Sequence, residues 1–549
     1  MIRNNKNQNN KRKRHNESQS EDESVISYKR TRKSILSTSE SEDQNSKKSG
    51  KNILDITWTT EPARLKLHHF SKRNSGIRVP ISHSASILDY FQLFFSESFV
   101  EFIVKTTNDY EECINNNNAP SPSRGTSLDE MYRFLCIKML MSRNKKLSHS
   151  EYWANDELLR SKIFGEIMSR DRFLHLLKIL HFNTNDMQAN VDRLYKIREI
   201  CDMLRESFKN ALYPFQDLCI DESLLLYKGR LSFKQYIPSK RNRFGIKSFV
   251  LCDKESGFVQ DFIIYDGSLS NITNTDANLG KSGNIVVQLL KPYLEKGHTL
   301  FVDNWYTSPA LFIFLHKNGT NACGTVKKRR KGMPRMDKKL KKGEASFWSS
   351  ECLLAMKWHD KREVYMLSTF HTEEFVDTKI HYRTKEMIIK PKCVVDYNRS
   401  MGAVDKTDMI ISTIHSQRKN LKWYKKYFFH LLDICIWNAY CLYKLKSGKY
   451  ISMAKFHLEL IRQILRRYHS SKATKDVNKS GHINITRLTA RHFPSLYENN
   501  KTKRKSPLRK CVVCKKNDKT SQTRYQCKNC DVGLCVYPCF EKFHTEYYY

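Results

Sequence analysis

Large apolar side chains are nearly absent from the first fifty positions, and from Ile87 onward they recur at helical spacing. Tyr90, Phe91, Phe94, Phe95, Phe99, Phe102 and Ile103 fall on one face of an amphipathic helix. A polar stretch with two prolines, residues 115–127, reads as a loop. Ser127-Leu-Asp-Glu then reads as a helix start with acids in the first turn, and the helix buries Met131, Phe134, Leu135, Ile137, Met139 and Leu140. Ser169-Arg-Asp-Arg-Phe opens another helix that runs through Leu180. Stripes of this kind are core, so the first folded region is predicted to be a helical module.

Near Phe215 the period changes from helical toward strand. Residues 218–220, 249–252 and 258–265 read as strands, with a turn over residues 254–257 between the last two. A helix over residues 285–294, a strand at 299–302 and a helix at 309–317 follow, which describes a mixed α/β domain. Residues 326–342 hold ten Lys and Arg against one acid, with Gly332 and Pro334 against a continuous helix, and read as an exposed basic loop. Residues 346–370 alternate and predict a small β-rich insertion ending near Pro391. Residues 393–396 read as a short strand, followed by a helix that carries Asp405 and Asp408 on one side. Residues 423–444 and 451–468 are strongly apolar helices. Residues 470–508 read as a polar, basic linker with one apolar patch, Phe493 and Leu496.

The chain has 549 residues, 40% of them hydrophobic, and a formal net charge of +39. Length alone predicts three or four domains. The charge predicts attraction to nucleic acid or an anionic membrane. No run of eighteen apolar residues occurs, so a membrane span is not expected. The N-terminus carries charge without a following apolar stretch, so a secretory signal is not expected either. The sixteen cysteines are therefore expected to be reduced or metal-bound, and the chain nuclear or cytoplasmic. The first fifty residues are too polar to bury a core and read as disordered. Within them Lys11-Arg12-Lys13-Arg14 reads either as a nuclear import signal or as a solvated charge cluster. The run over residues 37–43 is acidic and could accept phosphates.

The chemistry gathers at strand ends. The strand ending in Asp221 is followed by Lys228, Arg230, Lys234, Lys240, Arg241, Arg243 and Lys247, and an acid among cations suits a metal-dependent site acting on a polyanion. Asp303 ends a second strand, and Asp405 lies near a helix start. Carboxylates holding two metal ions can activate a water or hydroxyl and stabilise a leaving phosphodiester oxygen, and Mg2+ prefers such hard oxygen ligands. Each acid alone also reads as a solvated strand end or as a helix N-terminal acid. At the C-terminus Cys511, Cys514, Cys527, Cys530, Cys535, Cys539 and His544 form two C-x2-C pairs with further ligands, a zinc signature in a segment too small to fold on its own core. Two zinc ions take eight ligands and seven are counted, so either another group completes one site or only one site is full.

Three sets of residues carry a resemblance. Cys219-Ile-Asp-Glu-Ser-Leu with Gly229-Arg, Val302-Asp-Asn-Trp-Tyr-Thr-Ser308, and Asp396-Tyr-Asn with Gly402-Ala-Val-Asp405-Lys-Thr-Asp408 resemble the piggyBac transposase family. So do Tyr152-Trp153, Met168-Ser-Arg-Asp-Arg-Phe173 and Leu180-His-Phe182, and in the tail Arg524-Tyr-Gln-Cys-Lys-Asn-Cys530 and Cys539-Phe-Glu-Lys-Phe-His-Thr545. The resemblance spans roughly residues 85–546 in the family's order.

It implies a multi-domain α/β protein: a disordered tail (1–84), a helical dimerisation and DNA-binding domain in two parts (85–214 and 415–500), an RNase H-like core in two parts (215–330 and 392–414), a β-rich insertion (331–391) and a linker with a cross-brace zinc domain (501–549). Asp221, Asp303 and Asp405 would be a DDD triad holding Mg2+ or Mn2+, with Asp408 a further acid. Lys228, Arg230, Lys240, Arg241, Arg243, Lys247, Lys327, Lys328, Arg329 and Arg330 would meet DNA phosphates. Trp423 either stacks on a distorted DNA end or is core. The implied activity is cut-and-paste transposition: a nuclear homodimer binds terminal repeats on double-stranded DNA, excises through hairpins and joins at TTAA. The rivals are a transposase-derived DNA-binding protein without catalysis and a zinc-dependent chromatin reader.

Overall fold

The computed structural model describes residues 56–549 except 63–64, 117–124, 184–191, 239–242, 268–275, 381–386, 417–421, 470–490, 498–506 and 547–548. The basic cluster at residues 11–14, the acidic run at 37–43, Lys240 and Arg241 lie outside the described residues.

A nine-stranded sheet runs through the centre. In chain order its strands are β1 (Asp217–Leu226), β2 (Gln235–Tyr236), β3 (Phe244–Asp253), β4 (Val259–Ile264), β5 (Thr299–Val302), β6 (Asn321–Thr325), β7 (Ala345–Ser349), β8 (Leu354–His359) and β9 (Glu363–Ser368). The spatial order is β2-β3-β1-β5-β6-β9-β8-β7, with β4 also paired to β3. β3 pairs antiparallel with both β4 and β1, while β5 lies parallel to β1 and β6 parallel to β5. The parallel strands lie inside the sheet with helices on its faces, so β5 is buried at every position and apolar from Leu300 to Val302.

Alternation along β1 divides the two faces. Cys219 and Leu225 join the larger core, which Val250 and Cys252 of β3 share with the helices. Leu218 and Ile220 join a second core with Val302 and with the helices Gly280–Leu290 and Pro309–Lys317. Helices from before and after the sheet share the larger core. Tyr132 stacks on Tyr468 with centroids 3.9 Å apart, Phe182 meets Phe428 at 4.4 Å, and the Cys136 thiol donates to the carbonyl of Ile461 at 3.7 Å. Helix Trp423–Ser447 threads this core and stops at Gly448, whose φ of 62° is the left-handed cap that glycine tolerates. Serine hydroxyls cap the starts: Ser127 accepts from the amide of Glu130, Ser169 from Arg172 and Ser452 from Lys455.

Several sequence expectations change. The aromatic stripe from Tyr90 to Ile103 is two helices, Ile87–Gln92 and Glu97–Asn116, because the Ser96 hydroxyl accepts from the Phe99 amide and starts a second helix. Residues 393–396 are not a strand but part of helix Lys392–Ser400. That turn of helix buries Cys393 and Val394 and leans Tyr397 against Phe301, Cys323, Met356 and Met366. The β-rich insertion does not stand apart from the sheet, since β7, β8 and β9 extend it through β6. The basic loop is fastened down: Met336 and Leu340 are buried, and the Lys357 ammonium donates to the carbonyls of Met336 and Lys338. Part of the expected unstructured tail is packed. Trp58 donates to the Gly332 carbonyl at 2.9 Å, Thr59 bridges Ser349, and Gly76–Ile77 pairs with Leu212–Tyr213. The expected linker contributes Pro494–Leu496, a strand paired to Tyr525–Cys527.

Candidate active site and zinc module

Two neighbouring strands deliver two carboxylates. Ile220 sits beside Val302 in the parallel pairing of β1 and β5, so the next residues, Asp221 and Asp303, continue adjacent strands in the same direction. Asp221 accepts the backbone N–H of Glu222 at 2.8 Å. Asp303 is more enclosed. Its carboxylate accepts the Trp305 amide at 2.9 Å, yet burial, then the nearby charge of Glu222, push its pKa up to about 6. Burial raises the pKa of Tyr306, with the charges of Glu222, Asp221 and Asp303 adding to it, and burial likewise raises that of Tyr397, with Asp303 and Asp221 adding to it.

Helix Ala403–Ile411 carries the third carboxylate and is held against the middle of β1. Two fastenings hold its segment. The Cys219 thiol donates to the Met401 carbonyl at 3.1 Å, and the Ser223 hydroxyl donates to Asp408 at 2.9 Å. Cys219, Asp221 and Ser223 alternate onto the same face of β1. Asp405 lies between Met401 and Asp408 in this fastened stretch and is exposed. Burial raises the Cys219 thiol pKa, with Asp221 and then Asp405 adding to the effect. The sequence placed Asp221 at the end of a strand, but β1 runs on to Leu226 because its ladder with β3 continues, so Asp221 is a mid-strand residue beside the end of β5, with the Asp405 segment fastened to β1 on either side of it. The oxygens of the three acids are not all within 4.8 Å of one another, the spacing that marks a closed ligand group among the described residues. Asp408 is placed differently: it anchors the helix to β1 through Ser223 and lines a water-sized cavity of about 10 Å³ with Ser248, Tyr427 and His430.

The donor set fits a hard divalent cation. Burial leaves Asp303 costly to ionise, and the acid beside it adds to that cost, so a bound cation would offset both.

The cations separate into two groups. Lys228, Arg230, Arg243, Lys327, Lys328 and Arg329 are exposed. Lys247 is turned inward, 3.1 Å from Glu222, and Arg330 donates to the Trp305 carbonyl at 3.1 Å. Trp423 begins its helix half-buried, edge-on to Phe233 with centroids 5.2 Å apart. Glu222 was not singled out in the sequence; its signal was only its place beside Asp221.

In the tail, two groups of donor atoms each lie within 4.8 Å among the described residues. Cys511, Cys514, Cys535 and Cys539 make one, and His492, Cys527, Cys530 and His544 make the other. Along the chain the two sets alternate, the order of a cross-brace. The eighth ligand is His492, upstream of the module's six cysteines and inside the stretch read as linker. A tetrahedral zinc with thiolates about 2.3 Å away holds them about 3.8 Å apart. Here Cys514 lies 3.9 Å from Cys535 and 3.5 Å from Cys539, and His492 Nδ1 lies 3.2 Å from the Cys527 sulfur and 3.5 Å from that of Cys530. His544 Nδ1 donates to the Phe540 carbonyl at 2.7 Å, which turns Nε2 toward Cys530 at 3.7 Å. Both sites fit zinc.

A family model described as "Transposase IS4" matches residues 87–440, and one described as "DDE_Tnp_1-like zinc finger" matches residues 490–545. The human PiggyBac transposable element-derived protein 2 is 25% identical over 403 residues, 71% of this chain and 66% of that protein. The human PiggyBac transposable element-derived protein 3 is 26% identical over 474 residues, 83% of this chain and 76% of its own. A cryo-EM structure of the piggyBac transposase synaptic complex with hairpin DNA superimposes with a TM-score of 0.62 at 23% identity, covering 84% of this chain and 99% of that one. The matched sheet, helices and zinc module run almost the length of the described chain, and the chain belongs to the piggyBac-type transposase family.

Proposed function

We propose that this protein is a cut-and-paste DNA transposase with an RNase H-like catalytic core. The observation that carries the reading is the placement of Asp221 in β1 beside Asp303 at the end of β5, with the helix of Asp405 fastened to β1 on either side of Asp221. The antiparallel run β4-β3-β1 followed by parallel β5 and β6 supports the RNase H-like assignment.

Asp221, Asp303 and Asp405 would hold Mg2+ or Mn2+, which when bound supplies charge for the attacking and leaving oxygens of a phosphodiester. The residues then have these roles. Asp221 presents its carboxylate from the middle of β1 and Asp303 from the end of β5, and Asp408 holds the Asp405 helix against β1 through Ser223. Exposed Lys228, Arg230, Arg243, Lys327, Lys328 and Arg329 hold phosphates along double-stranded DNA. Water attack frees a 3′-OH, that hydroxyl attacks the opposite strand to give a hairpin, and reopening permits joining at TTAA. The half-buried face of Trp423 is available to stack on an unpaired base at the distorted end. The zinc module reads the terminal repeat, and the enzyme works in the nucleus as a homodimer.

An excision assay on donor DNA carrying the element's own ends tests this. Wild type is expected to excise and Asp303→Ala is not. If both leave the donor intact, a transposase-derived DNA-binding protein without catalysis is the reading that stands.

A further inference from the structure

We infer that Glu222 and Lys247 form a positioning pair that sets the backbone holding Asp303, a claim that rests on the proposed role of Asp303 in metal-dependent cleavage. Glu222 follows Asp221, so its side chain takes the opposite face of β1. There its carboxylate lies 3.1 Å from the Lys247 ammonium, and both side chains are nearly enclosed, 14% and 13% exposed. Lys247 is diagonal to Glu222 across the β1–β3 ladder, in which Glu222 pairs with Phe249.

The ammonium also reaches the loop behind Asp303. It lies 4.7 Å from the Phe249 ring centroid and 4.6 Å from that of Trp305. Those rings stack, with centroids 5.5 Å apart and planes inclined by 12°. The backbone N–H of the same Trp305 donates to the Asp303 carboxylate at 2.9 Å, and Arg330 holds its carbonyl. Tyr306 closes the group, edge-on to Trp305 at 4.7 Å. A path of direct contacts therefore runs from Glu222 to Lys247, to the Trp305 ring, to the Trp305 amide and to Asp303. The orientation of a ligating carboxylate depends on such supporting contacts.

Positioning and simple charge predict opposite signs at Lys247. If the cation acted only through its field, Lys247→Met would tighten a divalent ion at Asp303 at a pH high enough for that carboxyl to be fully ionised in both proteins, which is where the titration is run. If it positions the loop, the same change loosens the ion, because a buried Glu222 that has lost its cation and a displaced Trp305 follow. The test is Mn2+ titration of the zinc-loaded full chain, followed by electron paramagnetic resonance, for wild type, Glu222→Gln, Lys247→Met and the double variant. Melting temperature and zinc content are measured in parallel. Both single variants are expected to weaken Mn2+ binding about tenfold or more. The double variant, which has no unpaired charge and keeps a methionine against the rings, is expected to recover toward wild type. Tighter binding in Lys247→Met overturns the inference, as do unchanged affinities in both single variants or a lowered melting temperature with no change in affinity. Should wild type bind no Mn2+, the proposed metal site itself fails, a result distinct from those.

Discussion

At the scale of single residues, burial decides which charged groups meet solvent. Lys425 is a cation the fold encloses: its ammonium donates to the carbonyls of Leu177 and Lys178 at 2.9 and 2.7 Å, and burial lowers its pKa to about 8. The folded state then binds fewer protons than the unfolded chain between about pH 8 and the ordinary lysine value near 10.4, so this residue's contribution to stability rises with pH across that window. Compared with Lys425→Met, wild type is expected to gain on the order of 3 kcal/mol between pH 8 and 10.4 in denaturant unfolding. A parallel pair of pH profiles would count against this. Asp221 and Asp303 were legible because each ends a short apolar run beside a polar one. Glu222 was not, since its importance lies in a lysine on another strand and a tryptophan on another loop, neither of which a local pattern connects.

Elements show the same division. Helices with a serine at the start and an apolar stripe behind it were readable, as at Ser127 and Ser169, because both signals lie within a few residues. The helix Lys392–Ser400 was not, because the apolar run Cys393-Val-Val reads as a strand until Phe301 and Met356 supply the partner for a helical face. The zinc module repeats the lesson. Its cysteine spacing was plain, but His492 becomes a ligand only when Pro494–Leu496 pairs with Tyr525–Cys527. His492→Ala is expected to lower bound zinc from about two ions per chain to about one by native mass spectrometry. Two ions retained in that variant would remove His492 from the ligand set.

The whole molecule carries a charge of +39 in one chain, and exposed cations such as Lys228, Arg230, Lys327, Lys328 and Arg329 follow Asp221 and Asp303 in the sequence. Binding to DNA is then expected to weaken steeply with salt, as released counterions dominate. Replacing Lys327, Lys328 and Arg329 together with alanine is expected to reduce the slope of log affinity against log salt by about 3, measured by fluorescence anisotropy on duplex DNA. An unchanged slope would mean that this loop faces away from the phosphates. At this scale the sequence indicated an α/β protein with a β-rich insertion but not that β7, β8 and β9 pair onto the central sheet, because strand partners far apart in sequence leave no local trace.

The central claim is that Asp221, Asp303 and Asp405 together hold a divalent cation. Electron paramagnetic resonance of Mn2+ added to the zinc-loaded full chain tests it without any DNA. Wild type is predicted to bind Mn2+ at this site, with binding lost in each of Asp221→Asn, Asp303→Asn and Asp405→Asn while zinc is retained. Equal Mn2+ binding in wild type and all three variants would contradict the claim.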